Sequence, residues 1–145
     1  MNQPQRRFDA CIFDLDGTLA NTLHSIAHFG NATLKEFGLP PIPDEDYKAL
    51  VGNGADVLMR RMLRTVGAQF PEGKIRQFRA FYDHCYEGDP MALVAPYPGI
   101  LETLQALKEQ GMQLGVLSNK PDNMAQYIVC LLYTSPSPRD GATSR

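Results

Sequence analysis

Cysteine is scarce in this 145-residue chain: the three residues, Cys11, Cys85 and Cys130, stand in no paired spacing, which speaks against a disulfide framework and leaves buried, reduced thiols as the expectation. Net charge is also small, formally −2, so the chain lacks the positive excess that draws a protein to nucleic acid or to an anionic membrane. No long apolar run opens the sequence. MNQPQRRFDACIF carries two arginines and only a few apolar residues before Asp14 interrupts them, so neither a signal peptide nor a membrane span is expected, and a cytoplasmic location follows. What remains, 43% apolar and 21% charged residues, is the balance of a soluble globular protein able to pack a core.

The first ordered element predicted is a short buried strand, Phe8 to Phe13, too brief for a helix and ended by the turn-forming run Asp14-Leu15-Asp16-Gly17-Thr18. Leu23, Ile26, Ala27, Gly30, Leu34 and Phe37 then recur at intervals of three and four and predict an amphipathic helix, stopped by Gly38 and two prolines. Helical patterning continues to Glu87: Asp44 is placed to cap a short helix ending at Leu50, the turn VGNG (Val51 to Gly54) breaks it, and two longer helices follow over 55–66 and 73–86. After the linker APYPG, a helix carrying Ile100, Leu101, Leu104 and Leu107 on one face leads to a second short apolar strand, Met112 to Leu117.

Strand, helices, helix and strand again describe an α/β fold: a Rossmann-like parallel sheet core whose first crossover is enlarged by an inserted α-helical cap. The expected division is core at 1–20, cap at 21–94, core again at 95–130, and a tail at 131–145 that abandons periodicity for Ser, Thr, Pro, Gly and Arg. Two parallel strands make a small sheet, because both faces need covering, so the core reads as incomplete.

Asp14 and Asp16 stand two residues apart where a strand ends, at the sheet edge where open α/β folds bind ligands. Two carboxylates so close repel unless a cation lies between them, and hard oxygen donors at this spacing suit Mg²⁺, with Asp14 and Asp16 as the metal-binding pair. In such a site Asp14 can attack phosphorus and form an acyl phosphate, while Asp16 protonates the leaving alkoxide and later deprotonates water. Gly17 lets backbone amides approach the phosphoryl oxygens, Thr18 can add a hydroxyl, and the second strand ends in Ser118-Asn119, a hydroxyl and an amide suited to the same oxygens. A solvated Asp-Gly turn is the bland alternative, weakened by the strand before the motif and by the second strand end beside it.

FDLDGTL, the Ser118 of VLSNKPD and the helical stretch between them resemble the haloacid dehalogenase-like phosphatases, and within them the phosphoglycolate phosphatase type. The narrower likeness lies in EFGLPPIP, YKALVGNG, the Arg60-Arg61 pair and YPGILETLQALKEQG; it covers about residues 7 to 129. The resemblance implies a cap that closes over the substrate, Asp14 as nucleophile and Mg²⁺ ligand, and Asp16 as acid/base and metal ligand through its backbone carbonyl. It implies Ser118 as a holder of the phosphoryl group and a small phosphomonoester, 2-phosphoglycolate foremost, as substrate. Dehalogenases of the same superfamily lack the second aspartate, so Asp16 favours phosphate chemistry.

The family pattern continues with a lysine beside the nucleophile and an acidic pair that completes the Mg²⁺ shell, and neither follows Ser118 here. After Ser118 the acids are Asp122 and Asp140, and TSPSPRDGATSR looks like translated adapter sequence. The chain alone is therefore expected to fold poorly and turn over little.

Several residues carry two readings. Lys120 either touches phosphate or extends into solvent. Arg60, Arg61 and Arg64 are either a solvated face or, with Lys48, a source of the cation that meets a substrate carboxylate. Gly52 and Gly54 either join helices or flank the substrate. His24 and His28 have zinc-pair spacing without a third ligand nearby and read as exposed cap histidines. Rival functions are a phosphosugar mutase of the same fold and a non-catalytic phosphate- or metal-binding fragment; monomer and homodimer both remain open.

Overall fold

A computed structural model describes residues 7–134. The chain enters through β1 (Ala10–Phe13), touches a two-residue strand β2 (Ala20–Asn21), and then makes α1 (Leu23–Glu36), a 3₁₀ turn at Asp44–Asp46, α2 (Tyr47–Leu50), α3 (Ala55–Thr65) and α4 (Glu72–Gly88). It returns through β3 (Ala95–Pro96) to α5 (Ile100–Glu109), β4 (Gln113–Val116) and α6 (Asp122–Thr134).

β1 and β4 pair in parallel, Ala10 opposite Gln113 and Phe13 opposite Val116, so both strands end side by side and deliver Asp14 and Ser118 to one edge. Parallel neighbours need a crossover connection, and here that connection carries the whole helical insert. β2 and β3 pair antiparallel, Ala20 opposite Pro96 and Asn21 opposite Ala95, and form the neck where the chain leaves for the insert and comes back.

Two apolar clusters result. One belongs to the insert: Ile26, Phe29 and Leu34 of α1 meet Leu58, Met59, Met62 and Leu63 of α3 and Phe78, Tyr82 and Tyr86 of α4, with Tyr47 fully buried among them. The 3.6-residue period seen in the sequence is what points these side chains inward together. The other lies against the sheet, where Leu15, Leu19, Ala20, Leu104, Ile128 and Leu132 bury Phe13, Leu114 and Val116. Met124 of α6 is the exception that crosses over, packing into the insert's cluster.

Four expectations are corrected. The first strand is not buried: Ile12 is 73% exposed, because among the described residues helices cover only the face that bears Phe13, Leu114 and Val116. Asp44 caps no helix. Pro43, extended at φ −54° and ψ 141°, leads directly into the 3₁₀ turn, and the Asp44 carboxylate meets His24 Nδ1 at 3.1 Å instead. Cys130 is exposed on α6, and Cys11 and Cys85 are half-buried. Finally, α6 runs on to Thr134, into the stretch read as tail, because Leu132 is 7% exposed within the sheet-side cluster. The rest of that tail, 135–145, lies outside the described residues.

Candidate active site

The loop after β1 winds tightly around one carbonyl. Leu15 O accepts the amides of Thr18, Leu19 and Ala20 at 3.2, 3.0 and 3.1 Å, and Gly17 sits at φ +80°, a conformation that favours glycine. Leu15 and Leu19 are buried by this winding, which turns Asp14 and Asp16 outward to a cavity of about 630 Å³ between the sheet edge and the helical insert. The amide of Gly17 donates to Ala20 O at 2.9 Å, so what Gly17 brings to the cavity is open space rather than a free donor. The same winding leaves Thr18 exposed and off the cavity wall, so the expected hydroxyl is not brought to the carboxylates.

Asp14 is exposed, with Oδ1 accepting the amide of Leu15 at 2.7 Å. That bond occupies one carboxylate oxygen, and Asp14 lines the cavity. Asp16 is held differently. Its Oδ1 accepts the Thr22 hydroxyl at 2.7 Å and lies 3.1 Å from the Lys120 ammonium, while Oδ2 has no partner among the described residues.

From the second loop, Ser118, Asn119 and Lys120 all line the cavity. Ser118 Oγ accepts the Lys120 amide at 3.2 Å, which closes the loop on itself and sets the hydroxyl at the strand end. Asn119 reaches across to the insert, donating to Gly52 O at 3.2 Å, and Gly54 lies close enough that an added Cβ would sit 3.7 Å from Asn119 O. Lys120 does not extend into solvent: its side chain is 6% exposed, and it donates to the Tyr86 hydroxyl at 3.0 Å. Burial works against the ammonium's charge, yet Tyr86 and Asp16 outweigh it and hold the lysine's pKa above its ordinary value.

Across the cavity the insert contributes Lys48, Gly52 and Gly54. Lys48 is exposed and makes no ion pair among the described residues, which leaves its ammonium available to an anion. The two arginines are directed elsewhere. Arg60 grips Glu72 through two hydrogen bonds of 2.9 Å on the solvent side of α3. Arg61 donates to Leu50 O at 3.0 Å and to Asn53 Oδ1 at 2.8 Å, so it staples the VGNG loop from behind. Both arginines thus spend their donors on carboxylate and carbonyl oxygens within hydrogen-bond reach, and neither lines the cavity. His24 and His28 are exposed on α1, and His24 pairs with Asp44 at the cavity rim.

Thr22 and Tyr86 were not singled out from the sequence. Thr22 immediately precedes α1 and is 2% exposed, six residues after Asp16, so its position at the neck was the available signal. Tyr86 offers none, because it reads as one more apolar position on α4.

For a divalent cation, the described residues hold no group of three His, Cys, Asp or Glu side chains. Mg²⁺ does not require one: it binds through one or two carboxylates and fills its shell with water and substrate phosphate. The Asp14 carboxylate, with one oxygen held by the Leu15 amide, fits that use, while Asp16 Oδ1 is already taken by Thr22 and Lys120. No helix among the described residues is long and apolar enough to cross a membrane.

A parallel α/β unit with a helical insert roofing two aspartates at the strand ends defines the class. The chain belongs to the haloacid dehalogenase-like hydrolases, whose family model it matches over residues 11–132. It is 37% identical over 121 residues to a phosphoglycolate phosphatase of Haemophilus influenzae, an overlap of 81% of this chain and 54% of that protein. With a phosphoglycolate phosphatase of Agrobacterium fabrum it shares 38% identity over 115 residues, 79% of this chain and 49% of the relative. The chain thus spans about half the length of the curated relatives it matches. A crystal structure from Haemophilus somnus, of a protein described as a predicted phosphoglycolate phosphatase, superposes with a TM-score of 0.82 at 32% identity, covering 90% of this chain and 62% of that one.

Proposed function

We propose that the whole protein is a Mg²⁺-dependent phosphatase that hydrolyses a small phosphomonoester, 2-phosphoglycolate foremost, through a phospho-aspartate on Asp14. The observation that carries this reading is the shared cavity: Asp14, Asp16 and Ser118 from two adjacent strand ends line one cavity with Lys48 of the insert. The identity to proteins named phosphoglycolate phosphatase supports the choice of substrate.

The geometry supports the following chemistry. The free oxygen of Asp14 attacks phosphorus as the bond to the alkoxide breaks, and Asp16 gives its proton to that alkoxide through Oδ2. Water then attacks the phospho-aspartate, Asp16 takes a proton from it, and the bond between phosphorus and Asp14 breaks. Ser118 and the Asn119 amide hold the phosphoryl oxygens. The Asp14 carboxylate and the Asp16 carbonyl would hold Mg²⁺, which would supply positive charge to offset that of the phosphate. Lys48 meets the carboxylate at the far end of the substrate, and the insert excludes water that would weaken these interactions. The enzyme works in the cytoplasm on a free small molecule, as a monomer or homodimer.

The test is turnover of 2-phosphoglycolate by the whole protein with and without a chelator, beside Asp14→Asn. Release of free phosphate that chelation and Asp14→Asn both abolish supports the reading. Turnover that survives either change overturns it, and isomerised phosphate from glucose 1-phosphate would point to a mutase.

A further inference from the structure

Lys120 is buried between two partners that come from opposite sides of the cavity. Its ammonium lies 3.1 Å from Asp16 Oδ1 in the loop after β1 and 3.0 Å from the Tyr86 hydroxyl in α4, and it also stands 4.7 Å from the centre of the Tyr86 ring. Tyr86 itself has little freedom. It is 1% exposed, and its ring packs 4.9 Å from that of Phe29 and 5.7 Å from that of Tyr82. The loop that carries Lys120 is tied to the insert at a further point, by Asn119 to Gly52 O, and α6 just after it is tied by Met124 in the insert's cluster.

We infer that Tyr86 is a positioning residue for the acid/base carboxylate, acting through Lys120; this rests on the reading of Asp16 as acid/base. Thr22 and Lys120 both bind the same oxygen of Asp16, so the carboxylate cannot rotate without losing two partners, one of them a buried cation. Oδ2 is thereby presented to the leaving group. The anchor of that arrangement is the phenol oxygen: without it the ammonium keeps only the ring face and the carboxylate, and is free to slide along Asp16. A lysine committed in this way to Asp16 and Tyr86 is a strut between insert and core rather than a phosphate ligand.

A strut of this kind matters only where a proton must reach the leaving group, which separates it from a merely structural contact. The test is first-turnover phosphoryl transfer in the whole protein, compared between 2-phosphoglycolate, whose alkoxide needs a proton, and p-nitrophenyl phosphate, whose phenolate does not. Tyr86→Phe keeps the ring and removes the oxygen. It is expected to slow transfer from 2-phosphoglycolate roughly tenfold to a hundredfold while leaving p-nitrophenyl phosphate within about twofold and KM unchanged. Lys120→Met should give the same selective loss, and serves if Tyr86→Phe fails to fold. Equal loss on both substrates, or no loss on either, overturns the inference. Asp16→Asn run in parallel keeps the two readings apart: if it shows no preference between leaving groups, the acid/base assignment itself fails.

Discussion

Replacing Gly30 with alanine adds one methyl group to α1 at the point where Tyr47 crosses it. A Cβ there would stand 2.8 Å from Tyr47 Cε1 and 2.9 Å from Cζ, distances that real side chains do not tolerate. Tyr47 cannot retreat easily, since it is fully buried and its hydroxyl donates to Asn31 Oδ1 at 3.1 Å. Alanine gains about 1 kcal/mol of helix propensity over glycine. Overpacking costs about 1–3 kcal/mol, and displacing the phenol loses a hydrogen bond worth about 1 kcal/mol. The net is a destabilisation of about 1–3 kcal/mol. Gly73 near the start of α4 is the matched control: its Cβ would meet only Arg76 Nη2 at 3.9 Å, an ordinary contact. Gly73→Ala should therefore be neutral or stabilise by up to about 1 kcal/mol. Urea melts of the whole protein followed by far-ultraviolet circular dichroism read both. If Gly30→Ala matched or exceeded the wild type, the packing of α1 on Tyr47 would be wrong.

Burial, helped by Asp44, pushes the Tyr47 phenol above its ordinary range, and burial, helped by Tyr86, does the same to Tyr82. Their folded pKa values exceed the unfolded one, so this stabilisation is complete below about pH 10 and declines as pH rises above it. Absorbance at 295 nm should show these two phenols ionising only as the fold opens. Thr22→Val removes one donor from Asp16 Oδ1 while keeping the buried shape, and should lower kcat about tenfold or more with little change in KM. Arg61→Ala releases the VGNG loop and should raise KM for 2-phosphoglycolate several-fold, whereas Arg60→Ala should leave kcat and KM unchanged, which steady-state kinetics would decide. The 145-residue chain by itself should give a broad, weakly cooperative thermal melt and little phosphatase turnover, because one sheet face exposes Ile12 and Leu117.

Much of the architecture was legible because it rests on local regularities. Apolar residues at intervals of three and four placed α1, α3 and α4, and two short apolar runs ending in polar turns placed β1 and β4. Parallel pairing then brought the two turns together, and with them Asp14, Asp16 and Ser118. What the sequence hid is set by contacts between distant residues. Tyr86 and Lys120 are 34 positions apart, and a tyrosine at a core position carries no mark of the ammonium its hydroxyl will meet. For Arg60 and Arg61 the sequence left two readings, a solvated face or a substrate cation, because it does not show that these adjacent helix positions point in different directions and that each finds an acceptor away from the cavity lining. The exposure of Ile12 was equally out of reach, since an apolar residue in a strand does not reveal how many layers will cover it.

Phosphorylated enzyme trapped in acid during turnover of 2-phosphoglycolate by the whole protein, reduced with borohydride and mapped by peptide mass spectrometry, addresses the nucleophile itself. The account predicts reduction of the side chain at position 14 and at no other carboxylate. Modification at Asp16, or full turnover with no carboxylate reduced at all, would contradict it.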